Sequence, residues 1–199
     1  YNVAVGGTTL FSNTEGGYNT AVGYQALYTN TTANHNSAFG RYSLKFNTTG
    51  ANNAGFGQGT LTTNTTASNN TAVGYHAMEA NTTGDKNVAV GSLSLDHNTT
   101  GGNLTAVGYE ALTANTTGSS NVALGRLALV ANTTASYNTA FGYSALGGAG
   151  GNTLTTDSNF RFNTAIGQQV LEVLARGINN VAIVGRAMYR YGQDGMTYN

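Results

Sequence analysis

The sequence lacks cysteine, proline and tryptophan, and only 8% of its 199 residues are charged, with a formal net charge of zero. The absence of cysteine excludes disulfides and thiolate metal sites, but it does not identify the cellular compartment. The scarcity of charge gives the chain no electrostatic attraction for nucleic acid or for an anionic membrane. No apolar run approaches the ~18 residues that indicate a membrane span, so we expect no membrane insertion of this segment.

Glycine, by contrast, is abundant at 28 residues, and so are Asn and Thr, a composition that fits either disorder or a repeat. The motif N-x-A-x-G distinguishes the two, because its first position recurs at a spacing of 17 from residue 2 to residue 138. The fifth position is always glycine, the fourth is Val, Phe or Leu, and the ninth is Leu or Met. Disordered tracts have no reason to keep two apolar positions in register. The sequence therefore predicts a fold that forms by stacking.

A 17-residue unit is too short for two helices, and it fits a coil of two short strands joined by two turns. Alternation along the first strand points Thr20 and Val22 to one face and Ala21 to the other. We take Val22 and Leu27, on opposite walls, as the thin core, and we place Ala26 outside. The predicted fold class is all-β, a parallel β-solenoid of about eleven coils whose stability comes from neighbouring coils.

The tripeptide Asn-Thr-Thr recurs at the point where the second wall must turn back. Asparagine favours such turns, and stacked side-chain amides can bond to one another along the rod. The same tripeptide is an N-glycosylation motif, which Asn69 and Asn103 also match. Glycans on every coil would crowd at a spacing of ~5 Å, so we favour structural corners over acceptors. These candidate glycan acceptors or members of an asparagine ladder are Asn30, Asn47, Asn64, Asn81, Asn98, Asn115 and Asn132.

Two surfaces are candidates for binding. Tyrosine or arginine often occupies the sixth position of the coil, and these side chains suit recognition of carbohydrate or protein. The alternative, held equal, is that the rings only cover neighbouring small residues. The Ala and Gly positions of the strand would form a flat wall that another backbone can approach, as a subunit interface requires. The candidate ligand-facing residues are Tyr24, Arg41, Tyr75, Tyr109, Arg126 and Tyr143, and the candidate interface residues are Ala21, Gly23, Ala38, Gly40, Ala72 and Gly74.

Catalytic chemistry is not expected. His35, His76 and His97 occupy different positions within their coils, so they form neither a ladder nor an i,i+4 metal pair. Glu79 and Asp96 are the one acidic pair at the same position in consecutive coils, and adjacent carboxylates on a rod are more often solvated neighbours than a catalytic dyad. No phosphate loop, nucleophile elbow or zinc signature is present. We predict no catalytic residues, no cofactor and no metal.

The end of the chain departs from the repeat. Residues 1–146 form the regular coils, residues 147–162 contain an eight-residue insertion that we interpret as a loop, and residues 163–199 contain atypical terminal coils. Within this last part, Val170, Leu171, Val173 and Leu174 have helical spacing before Gly177, which predicts a short capping helix. We interpret residues 163–199 as a cap or as a junction to a further module.

The motif N-x-A-x-G followed by an Ala-Leu pair resembles the head repeats of YadA-like trimeric autotransporter adhesins. It is equally similar to the "NTAVGYQAL..NTTG" arrays of phage tail fibres and large bacterial surface proteins. The resemblance covers residues 2–146 continuously and residues 163–185 loosely. It implies a left-handed β-roll that packs into a homotrimer. The present coil is longer than the adhesin coil by the Asn-Thr-Thr turn, and no neck or coiled-coil stalk is evident.

We therefore expect a structural, non-enzymatic fibre segment at an extracellular, cell-surface or virion-surface location, serving attachment as an adhesin head or tail-fibre shaft. The expected partners are further copies of the chain, in a homotrimer or filament, and surface carbohydrate or a host receptor. The alternatives are a self-assembling extracellular fibril, glycosylated on the Asn-Thr-Thr ridge, and an ice-binding solenoid. No signal-peptide pattern precedes the repeats, so we expect a segment of a longer polypeptide.

Overall fold

The structure is a computed structural model that describes residues 1–148, 160–171 and 177–185. These residues form a parallel β-solenoid, as the repeat predicted. Eleven strands make one sheet in chain order, and two further strands pair separately. The strands are β1 (Val3–Val5), β2 (Thr20–Val22), β3 (Ser37–Phe39), β4 (Ala54–Phe56), β5 (Thr71–Val73), β6 (Val88–Val90), β7 (Thr105–Val107), β8 (Val122–Leu124), β9 (Thr139–Phe141), β10 (Phe160–Arg161), β11 (Thr164–Ile166), β12 (Gly177–Ile178) and β13 (Val181–Ile183).

The register of the sheet follows the sequence repeat. Ala21 in β2 lies opposite Ala38 in β3, so the same motif position stacks from coil to coil. The one larger step is between β9 and β11, where Ala140 pairs with Ala165 and the intervening sequence contains the insertion. Stacking in register turns every repeated side chain into a row along the rod, and these rows supply the surfaces described below.

The core lies between the alanine of each strand and the leucine of the opposite wall, which corrects the predicted orientation of the strand. Ala21 and Leu27 have no exposed surface, and Ala26, predicted to lie outside, is fully buried as well. Thr20 and Val22 are on the outer face of the strand. A 17-residue coil encloses so little space that a leucine on one wall leaves room for only a methyl group on the other. The larger strand residues therefore point outward.

The second wall is a run of turns and not the strand that we predicted. Residues 24–29 are in turns, and Gln25 and Leu27 have φ angles of 56° and 50°. These left-handed conformations break the alternation of a strand, so the consecutive residues Ala26 and Leu27 are both buried. The wall still stacks through backbone hydrogen bonds, since the Leu27 N–H donates to the Ser43 carbonyl at 3.1 Å. A left-handed leucine costs about 1–2 kcal/mol, which its burial offsets.

The terminal part of the rod also differs from the prediction. Residues 160–162, assigned to the loop, already belong to the rod, because Phe160 and Arg161 form β10 and the Phe160 side chain is fully buried. The expected helix falls largely on residues 172–176, which lie outside the described residues. Of its predicted ends, residues 168–171 form a turn, and Gly177 begins β12 where a helix cap was expected. Asn163 Nδ2 donates to the Gly177 carbonyl at 2.9 Å, so this glycine has the same role as its counterparts in earlier coils.

Candidate functional surfaces

The asparagines of Asn-Thr-Thr lie inside the rod, where they form an asparagine ladder. Asn64 is typical, because its Nδ2 donates to Asn47 Oδ1 at 2.8 Å and to the Ala67 carbonyl at 3.0 Å. The ladder begins at Asn13, and each later member bonds to the one before it. Every member from the second coil onward is fully buried, and these are the seven residues singled out from the sequence: Asn30, Asn47, Asn64, Asn81, Asn98, Asn115 and Asn132.

A second row of asparagines, at the first motif position, supports the neighbouring corner. Asn53 Oδ1 accepts the backbone N–H of Asn70 at 3.0 Å, and Asn53 Nδ2 donates to the Ala67 carbonyl at 2.8 Å. The Ala67 carbonyl therefore accepts one amide from each row, which joins the two corners. Leu104 interrupts the row, since its N–H donates to Asn87 Oδ1 at 2.9 Å but its own side chain has no amide for the next coil.

Burial of the ladder contradicts the interpretation of its members as glycan acceptors in the folded rod. Both Nδ2 hydrogens of Asn47 are donated inside the protein, and the residue has no exposed surface. A glycan would replace one of these hydrogens and would need a path to solvent. The two other matches to the acceptor motif, Asn69 and Asn103, are exposed.

The two threonines of Asn-Thr-Thr point in different directions. Thr65 is half-buried, and its hydroxyl donates to the Thr82 carbonyl at 3.1 Å. Thr66 is exposed, as are Thr49 and Thr83 in the adjacent coils. The Asn-Thr-Thr ridge therefore presents one row of outward threonines.

The outward side of the eleven-stranded sheet, here called the outer sheet face, carries an apolar row along the rod at the fourth motif position. Its side chains occupy the second motif position, which is Val, Ala, Thr or Ser, and the fourth, which is Val, Phe, Leu or Ile in every strand of the sheet. Phe39, Phe56 and Val73 remain 37%, 42% and 36% exposed, and the two phenylalanine rings stack with centroids 5.0 Å apart. Contiguous exposed apolar patches are a feature of interaction sites.

The residues predicted as a subunit interface do not form an exposed flat wall, because the alanines are buried and the glycines are half-buried. The alanines have no exposed area, and the glycines form a bend against the backbone of the next coil. Alternation identifies two faces of a strand without saying which one is inward. We predicted that Val22 faces inward, whereas the structure has Ala21 on the buried face. The outer sheet face is the wall that the strands present to solvent. The residues corrected are Ala21, Gly23, Ala38, Gly40, Ala72 and Gly74.

The sixth motif position forms an exposed row, here called the tyrosine-arginine ridge. At its best-formed part, the Arg126 guanidinium lies 5.8 Å from the Tyr109 ring centroid and 5.6 Å from that of Tyr143. A hydrogen bond to Glu110 raises the pKa of Tyr109, and the negative charge of Glu110 acts in the same direction. All the ridge residues singled out from the sequence are exposed: Tyr24, Arg41, Tyr75, Tyr109, Arg126 and Tyr143.

His76, Glu79 and Asp96 form a half-buried cluster that was not predicted from the sequence. One nitrogen or oxygen from each lies within 4.8 Å of the others, and His76 Nδ1 is hydrogen-bonded to Glu79 Oε2. Burial raises the pKa of the Asp96 carboxyl, with Glu79 adding to the effect and His97 opposing it. The sequence did contain a signal, because Glu79 and Asp96 share one repeat position and His76 lies three residues before Glu79 within a turn.

Comparison of the chain with models of protein families, with curated proteins and with solved structures found no match. Among the described residues, none lies in a helix with the length and apolar character needed to cross a bilayer.

Proposed function

We propose that this chain is a structural, non-enzymatic segment of an extracellular or virion-surface fibre that mediates attachment. In this proposal it is a repeat of the YadA-like head or phage tail-fibre type. The observation that carries the proposal is the outer sheet face, whose fourth motif position forms a continuous apolar row on a rod with little charge. A catalytic domain has no need for such a row, whereas a fibre built from several chains does.

The outer sheet face is suited to self-association. Its rows repeat every 17 residues, so copies aligned in parallel would place like residues at like heights along the rod. Closed cyclic symmetry would then cover the apolar wall of every copy, whereas an open arrangement would continue into a filament. We favour the homotrimer, because three flat walls can meet around one axis and bury the phenylalanines of β3, β4 and β9.

The tyrosine-arginine ridge is the proposed attachment surface. It lies at the bend that follows each strand, outside the wall used for self-association, so it stays accessible when the rods assemble. Tyrosine rings present apolar faces at low entropic cost, and the Arg126 guanidinium adds a bidentate donor beside Tyr109 and Tyr143. This chemistry fits surface carbohydrate, whose ring faces stack on aromatics and whose hydroxyls accept hydrogen bonds.

The homotrimer is tested by adding charge to the outer sheet face. We expect the wild-type chain to sediment as a trimer, and Val73→Lys with Val90→Lys to weaken assembly by at least about 100-fold, because each interface lysine would be buried without a partner. The control, Thr83→Lys with Thr100→Lys, adds the same charge to the same coils on the exposed threonine row. Analytical ultracentrifugation over a concentration series gives the assembly state.

The outcomes separate the proposal from its rival. A monomeric wild-type chain, or equal dissociation by the control pair, would contradict assembly through the outer sheet face. Electron microscopy of the same samples shows whether the assembled state is a short discrete rod or a continuous filament. Continuous filaments would favour the self-assembling fibril.

Attachment is tested on an array of sialylated and neutral oligosaccharides. We expect Tyr109→Ala to weaken binding about tenfold, the effect of removing one stacking anchor of ~1.4 kcal/mol. Tyr18→Ala is the matched control, because Tyr18 is an exposed tyrosine outside the ridge that stacks on His35. An equal loss in both variants would assign the binding to exposed aromatics in general and remove the ridge from the proposal.

A further inference from the structure

We propose that His76, Glu79 and Asp96 bind one divalent transition-metal ion of the zinc type, which links two neighbouring coils of the rod. His76 and Glu79 belong to the coil that contains β5, and Asp96 belongs to the coil that contains β6. The site is independent of how the rods assemble, because one chain supplies all three ligands.

The donor set fits this class of ion. One imidazole nitrogen and two carboxylate oxygens suit zinc and its first-row neighbours, whereas calcium and magnesium favour oxygen alone. Ligand atoms lie ~2.0–2.2 Å from such an ion. The three donor atoms are already within 4.8 Å of one another, so small side-chain rotations bring them to coordination distance. The remaining coordination positions would be filled by water, since the three residues are only half-buried.

An unsatisfied oxygen at the cluster is a second observation that indicates a cation. Asp96 Oδ1 is buried and has no hydrogen-bond partner among the described residues. Leaving a buried acceptor unpaired is unfavourable, and here a second carboxylate, that of Glu79, lies alongside. The neighbouring imidazole of His97 has its Nδ1 at 3.9 Å from Asp96 Oδ2, too far for a hydrogen bond, and in contact with the Thr113 carbonyl at 3.0 Å. A metal ion would neutralise both carboxylates and give Oδ1 a partner.

The coil beneath the cluster is shaped around the imidazole. Gly59 occupies the motif position of His76 in the preceding coil, and a Cβ placed there would lie 2.8 Å from His76 Cδ2. The other described coils carry a side chain at this position. The row of Glu79 and Asp96 continues with Thr62 on one side and Thr113 on the other. The glycine under His76 and the two carboxylates between threonines therefore occur at one place in the rod. This coincidence indicates a single local site and not a ladder of carboxylates.

The proposal is tested by isothermal titration of zinc chloride into the chain after treatment with EDTA and dialysis. We expect one ion per chain, and binding at least about tenfold weaker in His76→Ala and in Asp96→Asn. The matched control is His35→Ala, because His35 is an exposed histidine on another part of the rod, and it should leave binding unchanged. Absence of binding to the wild-type chain, or equal binding by Asp96→Asn, would overturn the proposal.

Thermal unfolding separates ligation from a structural role. In EDTA, Asp96→Asn should melt at the wild-type temperature or above it, because the substitution removes a buried charge beside Glu79. With zinc, the wild-type melting temperature should rise and that of Asp96→Asn should not, as expected for an ion that binds only the folded state. Loss of stability by Asp96→Asn in EDTA, together with an equal rise in zinc, would assign the residue a structural role and contradict the metal site.

Discussion

Replacing Asn64 with alanine is expected to lower the free energy of unfolding by about 3–5 kcal/mol. The substitution removes the bond from Asn64 Nδ2 to Asn47 Oδ1 and the bond that Asn81 Nδ2 donates to Asn64 Oδ1, at 2.8 and 2.9 Å. Asn47 Oδ1 and one hydrogen of Asn81 Nδ2 would then be buried without partners, and a cavity would replace the amide. The Ala67 carbonyl would still accept from Asn53. Chemical denaturation followed by circular dichroism measures the loss.

The control for Asn64→Ala is Thr66→Ala, two residues along the same corner. Thr66 is exposed, so its loss should change stability by no more than ~0.5 kcal/mol. Thr66→Ala also destroys the glycosylation motif at Asn64 while leaving the ladder intact. Both variants remove the glycosylation motif, but only Asn64→Ala removes the amide. A loss of stability in Asn64→Ala alone therefore assigns the effect to the ladder and not to a sugar acceptor. Equal destabilisation by the two variants would show that the corner as a whole, and not the asparagine ladder, supports the rod.

Gly74→Ala is expected to destabilise the rod by about 3 kcal/mol or more. Gly74 has a φ of 129°, which L side chains rarely adopt, and a Cβ there would lie 2.7 Å from the carbonyl carbon and oxygen of Gly91. The obstructing atoms are backbone of the next coil, so relief requires the two coils to separate. Stability in a solenoid depends on contacts between neighbours, and an interruption in the middle weakens the coils on both sides.

The control for Gly74→Ala is the same substitution at Gly17, where the nearest atom to an added Cβ, Asn34 Oδ1, is at an ordinary 3.5 Å. Alanine at a compatible position restricts the unfolded chain and is neutral or stabilising by ~0.4–1 kcal/mol. Thermal melting of both variants gives the comparison. If Gly74→Ala melts at the same temperature as Gly17→Ala, the fifth motif position does not require glycine. The presence of glycine at that position in all nine regularly spaced copies of the motif would then need another cause.

The architecture could be predicted from the sequence because a solenoid repeats one local solution. The spacing of 17 between Asn19 and Asn36 is also the register of the sheet, so the order and direction of β1 to β9 followed from counting. The buried leucine was likewise identified correctly, since Leu27 and its counterparts are apolar in every coil. The asparagines of Asn-Thr-Thr were predicted as corner residues from the preference of asparagine for turns.

Orientation was harder to predict, because it depends on the space inside the coil. Ala21 and Val22 are both apolar, and alternation alone allows either to face inward. The tertiary structure shows the alanine inside, with Leu27 opposite it. The consequence for function is large, since the bulky residues then form the outer sheet face and the small residues are unavailable as an interface. The turns of the second wall were missed for a related reason, because left-handed φ angles at Leu27 and Gln25 have no sequence signature.

The sequence alone determined the period, the glycine bend and the corner asparagines. Each of these depends on the backbone conformation within one coil or on the stacking of identical positions in adjacent coils. The tertiary structure decided which face is buried, whether Asn64 is accessible, and which side chains meet across coils. His76, Glu79 and Asp96 show the difference most clearly. They are dispersed over 21 positions of sequence, from 76 to 96, yet the stacking of two coils and the space left by Gly59 bring them together.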